Sequence, residues 1–265
     1  MNRDDWYRRW FGADYLALYP HRDREEARRA VDLLLSCMES PTGMRVLDLA
    51  CGAGRHLEAM TAHGLHGVGL DLSSHLLAQA RTGDEAHLLV RADMRRIPFS
   101  EKIFHAVTSF FTSFGYFAHE RDNRAVLDEV RRVLRPGGAF LLDFLNADRV
   151  VATLRPRDEQ VIRGRRVVQE RRLLEGGRFV EKRILIRTHE DADGTGPAQS
   201  YTERVRLYRA DELATLLEAA GYEVVQRFGD YGGGPLRADS PRAILFARLN
   251  RDARLGSDIS LSRDA

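Results

Sequence analysis

Apolar residues in this chain fall into two rhythms, short unbroken runs and three-and-four spacings, and their order predicts the architecture. Trp6, Trp10, Phe11, Tyr15 and Leu18 recur at mixed three-and-four intervals, which predicts a helix over residues 4–18. Pro20 disfavours helix in the residue before it, so Tyr19-Pro20-His21 reads as a corner. Ala27, Val31, Leu34, Leu35 and Met38 then give a second apolar face over 24–38. From residue 45 the two rhythms alternate. Short apolar strands are predicted at 45–49, 67–70, 86–90, 106–109 and 139–144, with amphipathic helices at 55–62, 74–81 and 123–134. Such repetition predicts a parallel sheet covered by helices on both faces.

Beyond Asn146 the pattern changes. Residues 161–174, 178–188 and 199–208 are rich in Val, Ile, Leu and Arg, and are separated by Glu175-Gly176-Gly177 and by a loop at 191–197. Glycine-punctuated runs of this kind predict an antiparallel meander. A helix over 210–220, stopped by Gly221, and strands at 223–228 and 243–248 then resume the first pattern. The expected fold is α/β, a Rossmann-like, doubly wound, seven-stranded and mostly parallel sheet with an antiparallel β insertion after the fifth strand. Residues 1–42 are expected to form a helical cap, 43–250 the main domain with its insertion at about 158–208, and 251–265 a disordered polar tail.

Candidate chemistry sits where strands end. Val46-Leu47-Asp48-Leu49-Ala50-Cys51-Gly52-Ala53-Gly54-Arg55-His56 is an apolar strand, an acid, a glycine turn and a helix start. Gly52 and Gly54 let backbone approach a ligand. Leu57 stands where a dinucleotide fingerprint has its third glycine, which counts against NAD. Asp48, read at the mouth of the turn, would repel a phosphate and favour a cation, and S-adenosylmethionine offers a sulfonium and an ammonium without any phosphate. Asp71 ends the second strand at the interval suited to ribose hydroxyls, and Asp93 with Met94 follows the third strand, suited to adenine. Three acids on successive strand ends would share the carboxyl edge of the sheet, where ligands of open α/β sheets bind.

On the words at 46–55, 69–73, 92–94 and 135–138, the chain resembles the class I S-adenosylmethionine-dependent methyltransferases, from about residue 43 to 144 and again from 210 to 248. The resemblance implies that Asp48 and the backbone of Ala50, Cys51, Gly52 and Gly54 hold the methionine part, with Ala50 in place of the family's first glycine. Asp71 would hold the ribose, and Asp93 with Met94 the adenine; Tyr15, Leu72 and Phe110 complete the expected cofactor-binding set. The segment Phe110-Phe111-Thr112-Ser113-Phe114-Gly115-Tyr116 is similar to one in small-molecule methyltransferases, including bacterial enzymes that dimethylate amino-sugar nitrogens. That likeness implies that Tyr116, the candidate catalytic residue, faces the acceptor and that Tyr15 helps close the pocket.

Composition narrows the partners. A formal charge of +2 makes no global case for nucleic acid or membrane. The arginines of the insertion are interleaved with Glu170, Glu175 and Glu181 and lack stacking aromatics apart from Phe179, so a solvated sheet face is expected, roofing the acceptor pocket or mediating self-association into a homo-oligomer. Cys37 and Cys51 make no disulfide framework, and the nine histidines show no ligand spacing, so no metal is expected. The first residues lack the apolar run of a signal peptide, and a cytoplasmic location is expected. His119 reads as part of a loop before a helix, and His105 as structural. The expected activity is methyl transfer from S-adenosylmethionine to an N or O atom of a small molecule, yielding S-adenosylhomocysteine. An RNA or protein methyltransferase and a catalytically silent S-adenosylmethionine-binding regulator are the alternatives.

Overall fold

A computed structural model describes residues 5–19, 24–82, 87–188 and 198–250. Helices α1 (Tyr7–Trp10), α2 (Ala13–Leu18) and α3 (Arg24–Ser36) precede β1 (Arg45–Leu49). The alternation then runs α4 (Arg55–Ala62), β2 (His66–Asp71), α5 (Ser74–Ala80), β3 (Leu88–Arg91), β4 (Phe104–Ser109), α6 (Glu120–Val133) and β5 (Leu134–Leu145). After α7 (Ala147–Thr153) come β6 (Arg157–Ile162), β7 (Arg165–Leu174), β8 (Phe179–Thr188) and β9 (Gln199–Arg206). The chain returns through α8 (Ala210–Ala219), β10 (Tyr222–Phe228) and β11 (Arg242–Leu249).

Seven strands form one sheet in the order β10-β11-β5-β4-β1-β2-β3, in which β11 runs antiparallel to both neighbours and the rest of the ladder is parallel. Alternate residues of the central strands feed two cores. Val46, Ala106 and Leu141 pack with Val31 and Leu34 of α3 and Leu57 and Met60 of α4. Leu47, Val107 and Leu142 pack on the other face with Val126 and Val130 of α6 and Leu213 and Leu217 of α8. Burial on both faces is why these strands read as continuous apolar runs. The chain leaves β1 toward β3 and later returns to the other side of β1 at β4, so a crevice opens between the carboxyl ends of β1 and β4. The antiparallel insertion is a separate sheet, β6-β7-β8-β9, whose Val167, Ile184 and Ile186 are buried.

Several local expectations change. The helix read over 4–18 is two short helices, because Gly12 adopts an extended conformation (φ −132°, ψ −154°) between them. The run at 161–174 is part of a hairpin: Arg163 and Gly164 both have positive φ (49° and 74°), the geometry of a two-residue type I′ turn, and Ile162 pairs with Arg165. Arg135-Pro136-Gly137-Gly138 forms a bulge inside β5, since Phe104 pairs with Leu134 but Ala106 with Ala139. Helix α7 has no counterpart in the sequence reading; Asn146 caps it by accepting from the Asp148 N–H at 3.2 Å. The Pro20-His21 corner, the start of the predicted third strand at residue 86, the loop 191–197 and the tail 251–265 lie outside the described residues. No described helix is long and apolar enough to cross a membrane.

Gly69 shows how closely the layers meet. A Cβ there would lie 2.7 Å from both Cys51 Sγ and Leu57 Cδ1 and 2.8 Å from Leu89 Cδ2. Gly69→Ala is therefore expected to cost about 1–3 kcal/mol by overpacking, read as a lower urea midpoint.

Candidate active site

A cavity of about 270 Å³ occupies the crevice. Its floor comes from the loops after β1, β2, β3 and β4, and its outer wall from Tyr7, Phe11, Tyr15 and Tyr19 of the N-terminal segment. Ten of the residues anticipated from the sequence meet on its wall: Tyr15, Ala50, Cys51, Gly52, Asp71, Leu72, Asp93, Met94, Phe110 and Tyr116. Asp48 and Gly54 are not among the lining residues.

Gly54, at φ 82°, is the N-cap of α4, and a Cβ on it would sit 3.1 Å from Ala80 Cβ, so its task is to bring α4 against α5. Asp48 lies beneath the floor, 1 % exposed, rather than at the mouth of the turn. Thr108 Oγ1 donates to its Oδ1 at 3.0 Å, while Oδ2 has no hydrogen-bond partner among the described residues and stands 3.7 Å from His56 Nδ1. Burial pushes the Asp48 carboxyl up to about 7, against the pull of Thr108 and Arg55. His56 is also buried; its ring stacks on Phe110 at 4.2 Å, and burial with the charges of Arg55 and Arg242 drives its pKa well below the usual imidazole range. It is neutral at pH 7.

The glycine turn is self-satisfied. The Cys51 N–H donates to Leu70 O at 3.0 Å, the Gly52 N–H to Asp71 Oδ2 at 2.9 Å, and the Gly54 N–H to Cys51 O at 3.1 Å. Ala50 accepts a left-handed conformation (φ 60°) to make this path, a cost of about 1–2 kcal/mol for a residue with a Cβ. Asp71 takes a second N–H, from Ser73 at 2.7 Å, into Oδ1. Burial raises its pKa, and the backbone N–H bonds oppose that rise. Since an ionised carboxylate offers about four acceptor positions, these two bonds leave capacity for hydroxyl donors. Asp93 is gripped by Arg95 through Nε at 3.0 Å and Nη2 at 2.7 Å. Burial would lift its pKa, but Arg95 outweighs it and the carboxyl titrates below its ordinary range.

Above the floor stands an aromatic wall. Trp6 meets Tyr116 edge-on at 4.9 Å, Phe11 stacks on Tyr116 at 5.7 Å, and Tyr15 contacts Phe11 at 4.9 Å. Ser73 Oγ donates to Phe11 O at 2.6 Å, pinning this wall to the end of β2. His119 is exposed at the N-cap of α6 and does not line the cavity. His105 is structural, its Nδ1 accepting from the Arg45 N–H at 2.9 Å.

Sequence reasoning missed Asp143. Fully buried in β5, it accepts the Phe111 N–H at 2.7 Å and an Arg242 Nη2 bond at 2.8 Å, together with the Tyr231 hydroxyl. Its carbonyl accepts the Thr112 N–H at 3.0 Å. Phe111 and Thr112 both have positive φ (58° and 60°), a strained pair that these bonds hold in place beside the cavity. Arg55 and Arg242 both approach the Phe111 ring, at 5.1 and 4.8 Å. The available signal was a lone acid inside the apolar run Leu141-Leu142-Asp143-Phe144.

Residues 46–138 match a family described as a methyltransferase domain. A demethylmenaquinone methyltransferase of Clavibacter sepedonicus is 40 % identical over 103 residues, 38 % of this chain and 40 % of that protein. A dTDP-3-amino-3,4,6-trideoxy-alpha-D-glucopyranose N,N-dimethyltransferase of Streptomyces venezuelae is 33 % identical over 49 % of this chain and 54 % of its own. The chain thus spans about half the length of the curated relatives it matches. Among solved structures, the amino pentose methyltransferase CalS10 of Micromonospora echinaspora, with S-adenosylmethionine bound, superposes with a TM-score of 0.62 at 25 % identity over 89 % of this chain and 96 % of its own. With the sheet order and the acid-ended strands, these matches make the chain similar to the class I S-adenosylmethionine-dependent methyltransferases, with the methyltransferase-domain match at residues 46–138.

The residues present fit that cofactor. Cys51, Gly52 and Gly54 have already spent their N–H groups inside the protein, and Asp71 lies against the turn, so a phosphate meets fewer donors and an unfavourable charge there. A sulfonium finds aromatic faces, and a ribose finds Asp71.

The buried Asp48 gives a test by pH. Its carboxyl titrates near 7 in the fold and near 3.8 when unfolded, so between those values the native state binds more protons and stability falls as pH rises. Asp48→Asn keeps an acceptor for Thr108 and removes the titration. Urea unfolding of the apo protein from pH 4 to 8 is expected to show a flatter profile for the variant, the difference being on the order of 1.4 kcal/mol per unit of pKa displacement.

Proposed function

We propose that this chain transfers a methyl group from S-adenosylmethionine to an N or O atom of a small molecule. The observation that carries the reading is the pair Asp71 and Asp93, at successive strand ends, facing one cavity beside a glycine turn whose Cys51, Gly52 and Gly54 N–H groups are spent. The relatives include sugar N,N-dimethyltransferases and a malonyl-[acyl-carrier protein] O-methyltransferase, which supports N and O as acceptor atoms.

The backbone of Ala50, Cys51 and Gly52 would hold the methionine part, Asp71 with Leu72 the ribose, and Asp93 with Met94 the adenine. The cofactor supplies a methyl group already activated by the positive sulfur. What remains for the protein is to align the acceptor and to exclude water. Trp6 and Phe11, packed on Tyr116, supply a dry wall at the acceptor end. Tyr116 is assigned to hold the acceptor atom by its hydroxyl and to take its proton directly or through water.

The arginines of the insertion support a solvated face better than a nucleic-acid surface. Arg166 pairs with Glu159, Arg172 with Glu181 and Arg204 with Glu175, at 2.5–2.6 Å, so much of the positive stripe is neutralised in place.

Calorimetry with S-adenosylhomocysteine is expected to show binding by the parent and a loss of about 1.5–3 kcal/mol for Asp71→Ala, with no such loss for Asp48→Asn. If the parent fails to bind, the cofactor assignment falls. With a panel of amines and phenols, Tyr116→Phe is expected to lower kcat by about 10²-fold while leaving S-adenosylhomocysteine affinity unchanged.

A further inference from the structure

Among the described residues, nothing in the β6–β9 sheet lines the cavity, yet that sheet grips the wall that closes it. Helices α1 and α2 have four and six residues, far below the roughly 12–15 at which an isolated helix holds itself together in water. Their position must come from tertiary contacts. On the inner side these are the Ser73 bond to Phe11 O and the packing of Trp6 and Phe11 on Tyr116.

On the outer side the contacts converge on one carboxylate. Asp14 Oδ1 accepts from Arg165 Nη1 at 2.6 Å, and its Oδ2 accepts from the Tyr201 hydroxyl at 2.7 Å. Arg165 starts β7 and Tyr201 lies on β9, so Asp14 joins two strands of the insertion to the helix that carries Tyr15. Burial, helped by the bond to Asp14, pushes the Tyr201 phenol up to about 12, which keeps it a donor at neutral pH. Beside this, Trp10 packs on the Tyr201 ring at 4.8 Å, and Lys182 Nζ, paired with Glu203 at 2.5 Å, donates to the Tyr19 hydroxyl at 2.7 Å. Tyr15 and Tyr19 both line the cavity.

We propose that Asp14 is a positioning residue through which the insertion sheet holds the N-terminal wall closed, so that the sheet governs occupancy of the cavity without touching what binds there. This rests on the methyltransferase reading only where a ligand is used. The extended Gly12 linkage between α1 and α2 lets Trp10 and Tyr15 be seated separately, one against the insertion and one against the cavity.

The chain carries two tryptophans, and both, Trp6 and Trp10, lie in this wall, 9 % and 1 % exposed. Tryptophan emission, excited where tyrosine does not absorb, therefore reports the wall alone. The experiment compares parent, Asp14→Ala, Asp14→Asn and Tyr201→Phe, the last keeping the ring against Trp10 while removing its hydroxyl. In Asp14→Ala, red-shifted emission more readily quenched by acrylamide is expected, with the urea midpoint followed by far-UV circular dichroism unmoved. Asp14→Asn and Tyr201→Phe should fall between it and the parent, which keeps the assignment testable if Asp14→Ala does not fold. S-adenosylhomocysteine should bind Asp14→Ala about tenfold more weakly, the scale of one lost charge-assisted bond. Emission and quenching equal to the parent in every folded variant would overturn the proposal, as would a changed wall with unchanged S-adenosylhomocysteine affinity. A parent that shows no binding, with the emission changes present, would instead remove the methyltransferase reading and leave the wall's anchoring in place.

Discussion

The carboxylate of Asp71 ties together the glycine turn after β1 and the start of α5 at the end of β2. It takes the Gly52 N–H from the turn after β1 and the Ser73 N–H at the start of α5. Ser73 then accepts the Leu76 N–H as the cap of α5 and donates its own hydroxyl proton to Phe11 O. One acid thus fixes the glycine turn, the second strand end and, through a single hydroxyl, the aromatic wall opposite. Its bonds are short, and backbone donors cost little side-chain entropy to hold. The shape of the cavity follows from this chain of contacts more than from any apolar packing.

Two other acids show contrasting solutions to burial. Asp143 is surrounded by donors, among them the Arg242 guanidinium, and its charge is put to use in holding the strained Phe111-Thr112 turn. Asp48 has a single hydroxyl donor in Thr108, and its pKa rises to about 7 accordingly. Near neutral pH it is poised between charged and neutral forms directly below the cavity floor. A fixed negative charge at the turn is therefore too simple a description of that end of the site.

The matched segment, 46–138, supplies the floor of the cavity with its acids and its turn. The wall facing Tyr116 comes from residues before it, and the support for that wall from β6–β9 after it. That wall and its support are built from segments outside that match, held together across 187 residues of sequence by the Tyr201–Asp14 bond.

What the sequence determined by itself was the local and the periodic. Runs of Val and Leu bounded by Asp48, Asp71 and Asp93 specify strands and mark where they end, because strand periodicity and turn chemistry are properties of neighbouring residues. Parallel order then follows from the intervening helices, and the carboxyl edge from the order. Depth did not follow. Asp48 and Asp71 both fall near the ends of adjacent strands, yet Asp48 pairs with Gly69, two residues short of Asp71, and lies under the floor against Thr108 and His56 while Asp71 lies on it. Gly12 and the Arg163-Gly164 turn broke elements that looked continuous, since one residue of unusual backbone geometry outweighs an apolar pattern. Asp14 had no signature and Asp143 only that of a lone acid in an apolar run, because their meaning lies in donors 32 to 187 residues away that come near only when both sheets have formed.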